Sequence, residues 1–158
     1  MNYEKFLKDN LIKEQKPDFK QIEKQLKRAD KDLKTAESVL SMDITWSYAI
    51  SYHAMIRAGK ALMYSKGYLP TTRNTHKTIV EFTRTILGEE YENITSRFNR
   101  MRRQRHDFIY DSENGITTSE AKSAVDTAKK LIDKIKILVS KENPQKDLLE
   151  NLDENYRA

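Results

Sequence analysis

Five arginines fall within nine residues of this chain: Arg97, Arg100, Arg102, Arg103 and Arg105. A guanidinium is planar, always charged and forked, which suits it to phosphate oxygens. His106, Asp107 and Tyr110 follow within a turn or two. Imidazole, carboxylate and phenol are groups that trade protons, so the segment 91–111 gathers the ingredients of acid–base chemistry beside a phosphate. One of the five arginines stands out. The apolar stripe of this segment runs Tyr91, Ile94, Phe98, Met101 and then Phe108, and Arg105 occupies the place where the period calls for an apolar side chain. Burying an unpaired guanidinium costs several kcal/mol, so a stripe arginine needs an acidic partner, a subunit seam or a ligand. The other arginines are equally well read as a solvated helix face, with heads reaching water along their own stems.

Two further constellations are candidates. His53 and Arg57 are four residues apart in a helical stretch, and with Trp46 they could line a pocket; a satisfied histidine at the edge of a core is the plainer reading. Arg73, His76 and Lys77 surround a helix start, where free amides and the helix dipole attract anions. Capping by Asn74 or Thr75 explains the polar residues there as well. The three histidines, at 53, 76 and 106, lack metal-ligand spacing, and the acids of 18–43, Asp30 and Asp32 among them, read as ordinary helix surface. No metal or cofactor is expected. Phosphate-binding glycine loops and serine hydrolase motifs do not occur.

Positioning these groups falls to helices. Gly (4) and Pro (3) are scarce, and 34% of residues are charged, a balance that favours long helices. Asp18 is placed to cap a helix in which Ile22, Leu26, Ala29, Leu33, Ala36 and Leu40 form one stripe. The stretch 44–66 is apolar on more than one side and should be the most buried helix. A short helix over 76–87, ended by Gly88, and a long one over 89–110 follow. Thr117 and Glu120 have capping-box spacing and open a last helix that buries Ala121, Ala124, Ala128, Leu131, Ile132, Ile135 and Leu138. No run reads as a strand. The expected fold is all-α, an up-and-down bundle of four long helices and a short one. Residues 67–75 and 111–117 read as loops. The chain divides into an N-terminal amphipathic extension (1–17), a bundle (18–141) and an acidic tail (142–158), with amphipathic stretches at 3–12 and 145–153.

The 158 residues suffice for one domain, which needs no metal or disulfide to hold a core. Cysteine is absent, which excludes disulfides, thiolate metal sites and thiol nucleophiles. No stretch nears the roughly 20 apolar residues of a membrane span, and no signal-peptide core opens the sequence. A cytoplasmic location is expected. The net charge of +5 is uneven: residues 142–158 hold five acids against Lys146 and Arg157, leaving +8 on the body. A basic body favours anionic partners, nucleic acid first.

The stretches AISYHAMIRAGKALMYSKGYLP, THKTIVEF and RRQRHDFIYD, in that order and spacing, resemble the HEPN family over residues 18–140. The resemblance implies a helical bundle that pairs as a homodimer and binds RNA or nucleotide. In nuclease members an arginine and a histidine of an Arg-x4-His signature, contributed by two subunits, meet at the dimer seam and cleave RNA without metal. Here Arg105 matches the signature arginine, His106 the polar residue after it, and Tyr110 stands where the histidine would be. A phenol with a pKa near 10 is a poor base at neutral pH. His106 lies one step past Arg105, on another face of the helix. Arg105, Tyr110 and His106 are thus the candidate catalytic residues; Arg102, Arg103, Arg73, His76 and Lys77 are phosphate-binding candidates. Two readings stay open: a toxin-like, metal-independent endoribonuclease with an altered site, or a non-catalytic binding module or scaffold. The resemblance also implies a minimal nucleotidyltransferase as partner, with Tyr110 as the residue for nucleotide attachment.

Overall fold

The computed structural model describes residues 3–110 and 115–144, without the side chains of residues 106–110. Most of the expected loop at 111–117, the amphipathic stretch at 145–153 and all but the first residues of the acidic tail lie outside the described residues. The fold is all-α. In chain order it comprises α1 (Glu4–Lys8), β1 (Ile12–Glu14), α2 (Phe19–Val39), α3 (Ile44–Ser65), β2 (Tyr68–Pro70), α4 (Thr75–Leu87), a 3-10 turn over Glu89–Tyr91, α5 (Glu92–Tyr110) and α6 (Thr118–Glu142).

Local chemistry sets the boundaries. The Asp18 carboxylate accepts from the amides of Lys20 and Gln21 and starts α2. Asp43 does the same for Trp46 at the head of α3. Gly88, at φ 72°, ends α4 in a conformation other residues avoid. At α6 the Thr117 hydroxyl accepts from the Glu120 amide, and the Glu120 carboxylate accepts from that hydroxyl. The α2 stripe is buried from Ile22 to Ala36, and the α6 stripe from Ala121 to Ile135, where Val139 rather than Leu138 completes it.

Helix α3 is the axis of the bundle, packing against α2, α4, α5 and α6. Thirteen of its 22 residues are buried. The core around it includes Phe82, Phe98, Met55, Leu62, Ile79 and Leu131, all without solvent exposure worth the name. Each such side chain contributes about 1.5–3 kcal/mol of transfer free energy. The approach of α4 to α3 depends on Gly59, where an added Cβ would lie 2.7 Å from Ile79 Cγ2 and 2.9 Å from Thr83 Oγ1.

The expectation that no run forms a strand is corrected. Strands β1 and β2 pair antiparallel, with Ile12 opposite Pro70 and Glu14 opposite Tyr68. Each is three residues long, too short for an alternating pattern to register in the sequence. The ribbon ties the N-terminal segment to the α3–α4 connection. Ahead of it, Tyr3 stacks on Phe82 with ring centroids 5.0 Å apart, and Phe6 meets the same ring at 5.6 Å. Tyr3 and Phe6 thus pack on the bundle.

Gly59→Ala is expected to cost about 1–3 kcal/mol through overpacking between α3 and α4. Urea denaturation should show a lowered midpoint at unchanged slope. A midpoint equal to that of the parent would mean that the two helices do not meet so closely.

Candidate functional site

Helix α3 carries two polar edges around its buried body. On one edge Tyr52, which is buried, reaches α4. Its phenol oxygen lies 2.8 Å from His76 Nδ1, in the first turn of that helix. Arg105, from α5, brings Nη1 to 2.9 Å from the same nitrogen. Its guanidinium carbon sits 5.8 Å from the centre of the Tyr52 ring, within cation–π range.

A guanidinium only donates, so the Arg105 contact favours the tautomer in which His76 Nδ1 accepts and Nε2 carries the ring proton. Burial, then the Arg105 charge, pushes the His76 pKa below its ordinary 6.5. Burial likewise pushes the Tyr52 phenol up to about 12 against the opposing pull of Arg105, so it stays protonated at neutral pH. Among the described residues no carboxylate pairs with Arg105. A phenol, an aromatic face and a neutral imidazole hold its charge in place without cancelling it.

The second edge of α3 carries Trp46, Ala49, Ile50, His53 and Arg57, at helical spacings of three and four. Here two cations share one carboxylate. Arg57 donates to Gln25 Oε1 at 3.0 Å and to His53 Nε2 at 3.2 Å. Its Nε lies 3.3 Å from Asp32 Oδ2, an ion pair without hydrogen-bond alignment. Arg28 Nε lies 3.2 Å from Asp32 Oδ1. Burial and the adjoining Arg57 lower the His53 pKa, against the weaker opposing effect of Asp32.

These two edges open into one cavity of about 580 Å³. Arg28, Asp32 and Thr35 of α2 form one wall, Trp46, Ile50, Tyr52 and His53 of α3 the floor, and Arg105 of α5 the far rim.

A family model described as the HEPN domain matches residues 22–138. The chain belongs to the HEPN domain family. Comparison with curated proteins finds no match. HEPN domains are in general nucleotide- or RNA-related, and among the described residues no helix is long and apolar enough to cross a membrane.

In this HEPN domain the candidates of the sequence separate into groups. Arg105 and His76, 29 residues apart, are in direct contact, and His53 lines the same cavity as Arg105. Arg57 stands behind His53. Arg102 is half-buried and donates to Asn99 Oδ1 at 3.1 Å. Arg103 and Arg73 are exposed. Lys77 is on another face of α4, lining a groove with Lys5 and Asp9. His106 and Tyr110 lie on the last turns of α5, and their side chains are outside the described residues.

Three expectations change. Arg105 is exposed, not buried in the stripe: its side chain passes over Tyr52 to His76. Asp32 is no ordinary surface acid, since its side chain is 13% exposed and anchors two arginines. Asn74 provides no side-chain cap to α4; it adopts φ 49°, and Thr75 turns its hydroxyl back to the Thr71 carbonyl. Tyr52 and Arg28 went unnoticed in the sequence. The period 46, 49, 50, 53, 57 held the signal, because a helix apolar on two sides can serve a core with one and a cavity with the other.

Both histidines have pKa values lowered by folding. As pH falls through about 6.5, the unfolded chain therefore takes up protons that the folded chain resists, and stability is lost. It is fully present above that range. Denaturation midpoints should decline from pH 7.5 toward pH 5.5, and His76→Gln should flatten the decline. A decline of identical size in His76→Gln would remove the histidine from the cause.

Proposed function

We propose that this HEPN domain binds RNA or a nucleotide, acts as a homodimer, and uses Arg105 as its principal phosphate contact. One observation carries the reading. Arg105 is oriented by Tyr52 and His76 yet pairs with no carboxylate among the described residues, whereas Arg28 of the same cavity shares Asp32 with Arg57. A preoriented guanidinium with its charge still available is suited to a phosphate group. The basic body supports the same partner. A two-fold pairing would bring two such sites together.

A second reading, a metal-independent endoribonuclease, is favoured by the contact of His76 with Arg105. The HEPN signature has Tyr110 in place of its histidine, and α4 offers an imidazole instead. The strand's own 2′-hydroxyl can attack the adjacent phosphorus and expel the 5′ oxygen, with water carrying the proton from one to the other, the neutral His76 ring donating a hydrogen bond from Nε2–H to the departing oxygen, and Arg105 stabilising the charge on the phosphoryl oxygens. Tyr110 and His106 would then position the substrate or relay protons. A minimal nucleotidyltransferase is the partner protein this reading favours.

RNA binding is measured by fluorescence anisotropy with a labelled single strand. Arg105→Ala should weaken it about tenfold to a hundredfold, the loss of a charged hydrogen-bonding group. Affinity should fall steeply between about 50 and about 200 mM salt, as counterion release requires. Incubation with total RNA in EDTA addresses cleavage: products lost in both Arg105→Ala and His76→Gln support the enzyme, and binding without products supports the module. Wild-type protein that binds no RNA or nucleotide even at low salt would end both readings.

A further inference from the structure

Trp46 is the sole tryptophan of the chain, and it is 59% exposed. A large aromatic ring is commonly buried, and leaving most of it in water forfeits free energy. Its neighbours do not compel this exposure. Ser47 and Tyr48, next in sequence, are buried, and the Trp46 amide is fixed by Asp43 at 2.9 Å. The backbone is therefore held firmly in the first turn of α3 while the indole stands at the cavity edge.

The remainder of the cavity tells what an exposed indole would meet. Apolar surface comes from Ala49 and Ile50, beside Trp46 on the same face of α3. Cationic groups come from Arg28 and Arg105, against the single carboxylate of Asp32, which is already engaged. The volume of about 580 Å³ falls in the usual range for a bound small molecule. Trp46 precedes Tyr52 by six residues, a rise of about 9 Å along the helix. Arg105 lies over Tyr52. The occupant must then be flat and aromatic at one end and anionic at the other. A second copy seated in this pocket would set its own excess of positive charge against the same excess; an anionic ligand is the better match.

We infer that Trp46 is a stacking platform for an unpaired base, so that the cavity takes single-stranded RNA one nucleotide at a time, with the base on the indole and a phosphate on Arg105. This deepens the proposed RNA-binding reading and rests on it. A base inside a duplex has both faces covered by its neighbours and cannot stack on a side chain, so the geometry selects against paired RNA. Stacking on an aromatic ring tolerates any base, and recognition would be of strand state more than of sequence.

Because no other tryptophan is present, intrinsic fluorescence reports on this cavity alone. The full chain is titrated with a short single-stranded RNA, with the fully paired duplex of the same sequence, and with a ribose-phosphate oligomer lacking bases. Anisotropy of a labelled strand gives affinity in parallel for the parent, Trp46→Ala and Trp46→Phe. The expected results are saturable quenching by the single strand only, with a midpoint matching the anisotropy. Trp46→Ala should weaken single-strand binding about tenfold to a hundredfold, the worth of one stacked base, and Trp46→Phe should restore most of it. Circular dichroism confirms folding of both variants. Parent-like affinity in Trp46→Ala, or equal affinity for duplex and single strand, overturns the inference and leaves the RNA-binding reading intact. Fluorescence that shifts with protein concentration in the absence of RNA overturns it too, by assigning Trp46 to an interface between copies. Failure of the parent to bind any RNA removes both.

Discussion

Helix α3 has to satisfy every other long helix at once, and this constraint governs the rest of the molecule. Its buried body is built from small and medium side chains, Ala54, Ala58, Gly59, Ala61 and Met55 among them, so that neighbours can come close. Gly59 sets the distance to α4 through Ile79 and Thr83. That distance in turn determines where the first turn of α4 falls, and hence where His76 meets Tyr52. The site is thus positioned by packing in the core more than by any bond within the site.

The polar groups around α3 follow two electrostatic patterns. Where Asp32 is present, Arg28 and Arg57 share its one negative charge, and the Arg57–Asp32 pair joins α3 to α2. Partly exposed ion pairs are worth little in net stability, so their contribution is chiefly to orientation. Where the partners are Tyr52 and His76, the guanidinium of Arg105 is oriented but retains its field. Two cations of the same type, bordering the same cavity, therefore differ in what they can offer a ligand. The difference arises from the identity of the groups facing them.

The bundle was legible because its signals are periodic and long. The stripes of α2 and α6, the caps at Asp18 and Thr117, and the stop at Gly88 all express local rules. The β1–β2 ribbon was not, since three residues cannot display an alternation and the pairing joins segments over fifty residues apart. Arg105 was legible as an exception to a stripe, but its destination was not. Its partners come from α3 and α4, and only the closed bundle brings them together. The second face of α3 was legible only in part: His53, Arg57 and Trp46 read as a possible pocket lining, yet Trp46 and Ile50 also look like core residues in a helix that has plenty of them. Nothing local distinguishes an apolar side chain that lines a cavity from one that fills a core.

The β1–β2 ribbon has a mechanical consequence. The Thr71 amide donates to the Leu11 carbonyl at 2.9 Å, the Thr71 hydroxyl to the Asn10 carbonyl at 2.7 Å, and the Thr75 hydroxyl to the Thr71 carbonyl at 2.8 Å. These bonds form an unbroken chain from the opening segment to the residue before His76. That segment precedes the span, 22–138, that the HEPN family match covers. The imidazole beside Arg105 is therefore braced by a buttress outside the matched domain, and any force applied at the front of the chain is delivered to the pivot of that ring.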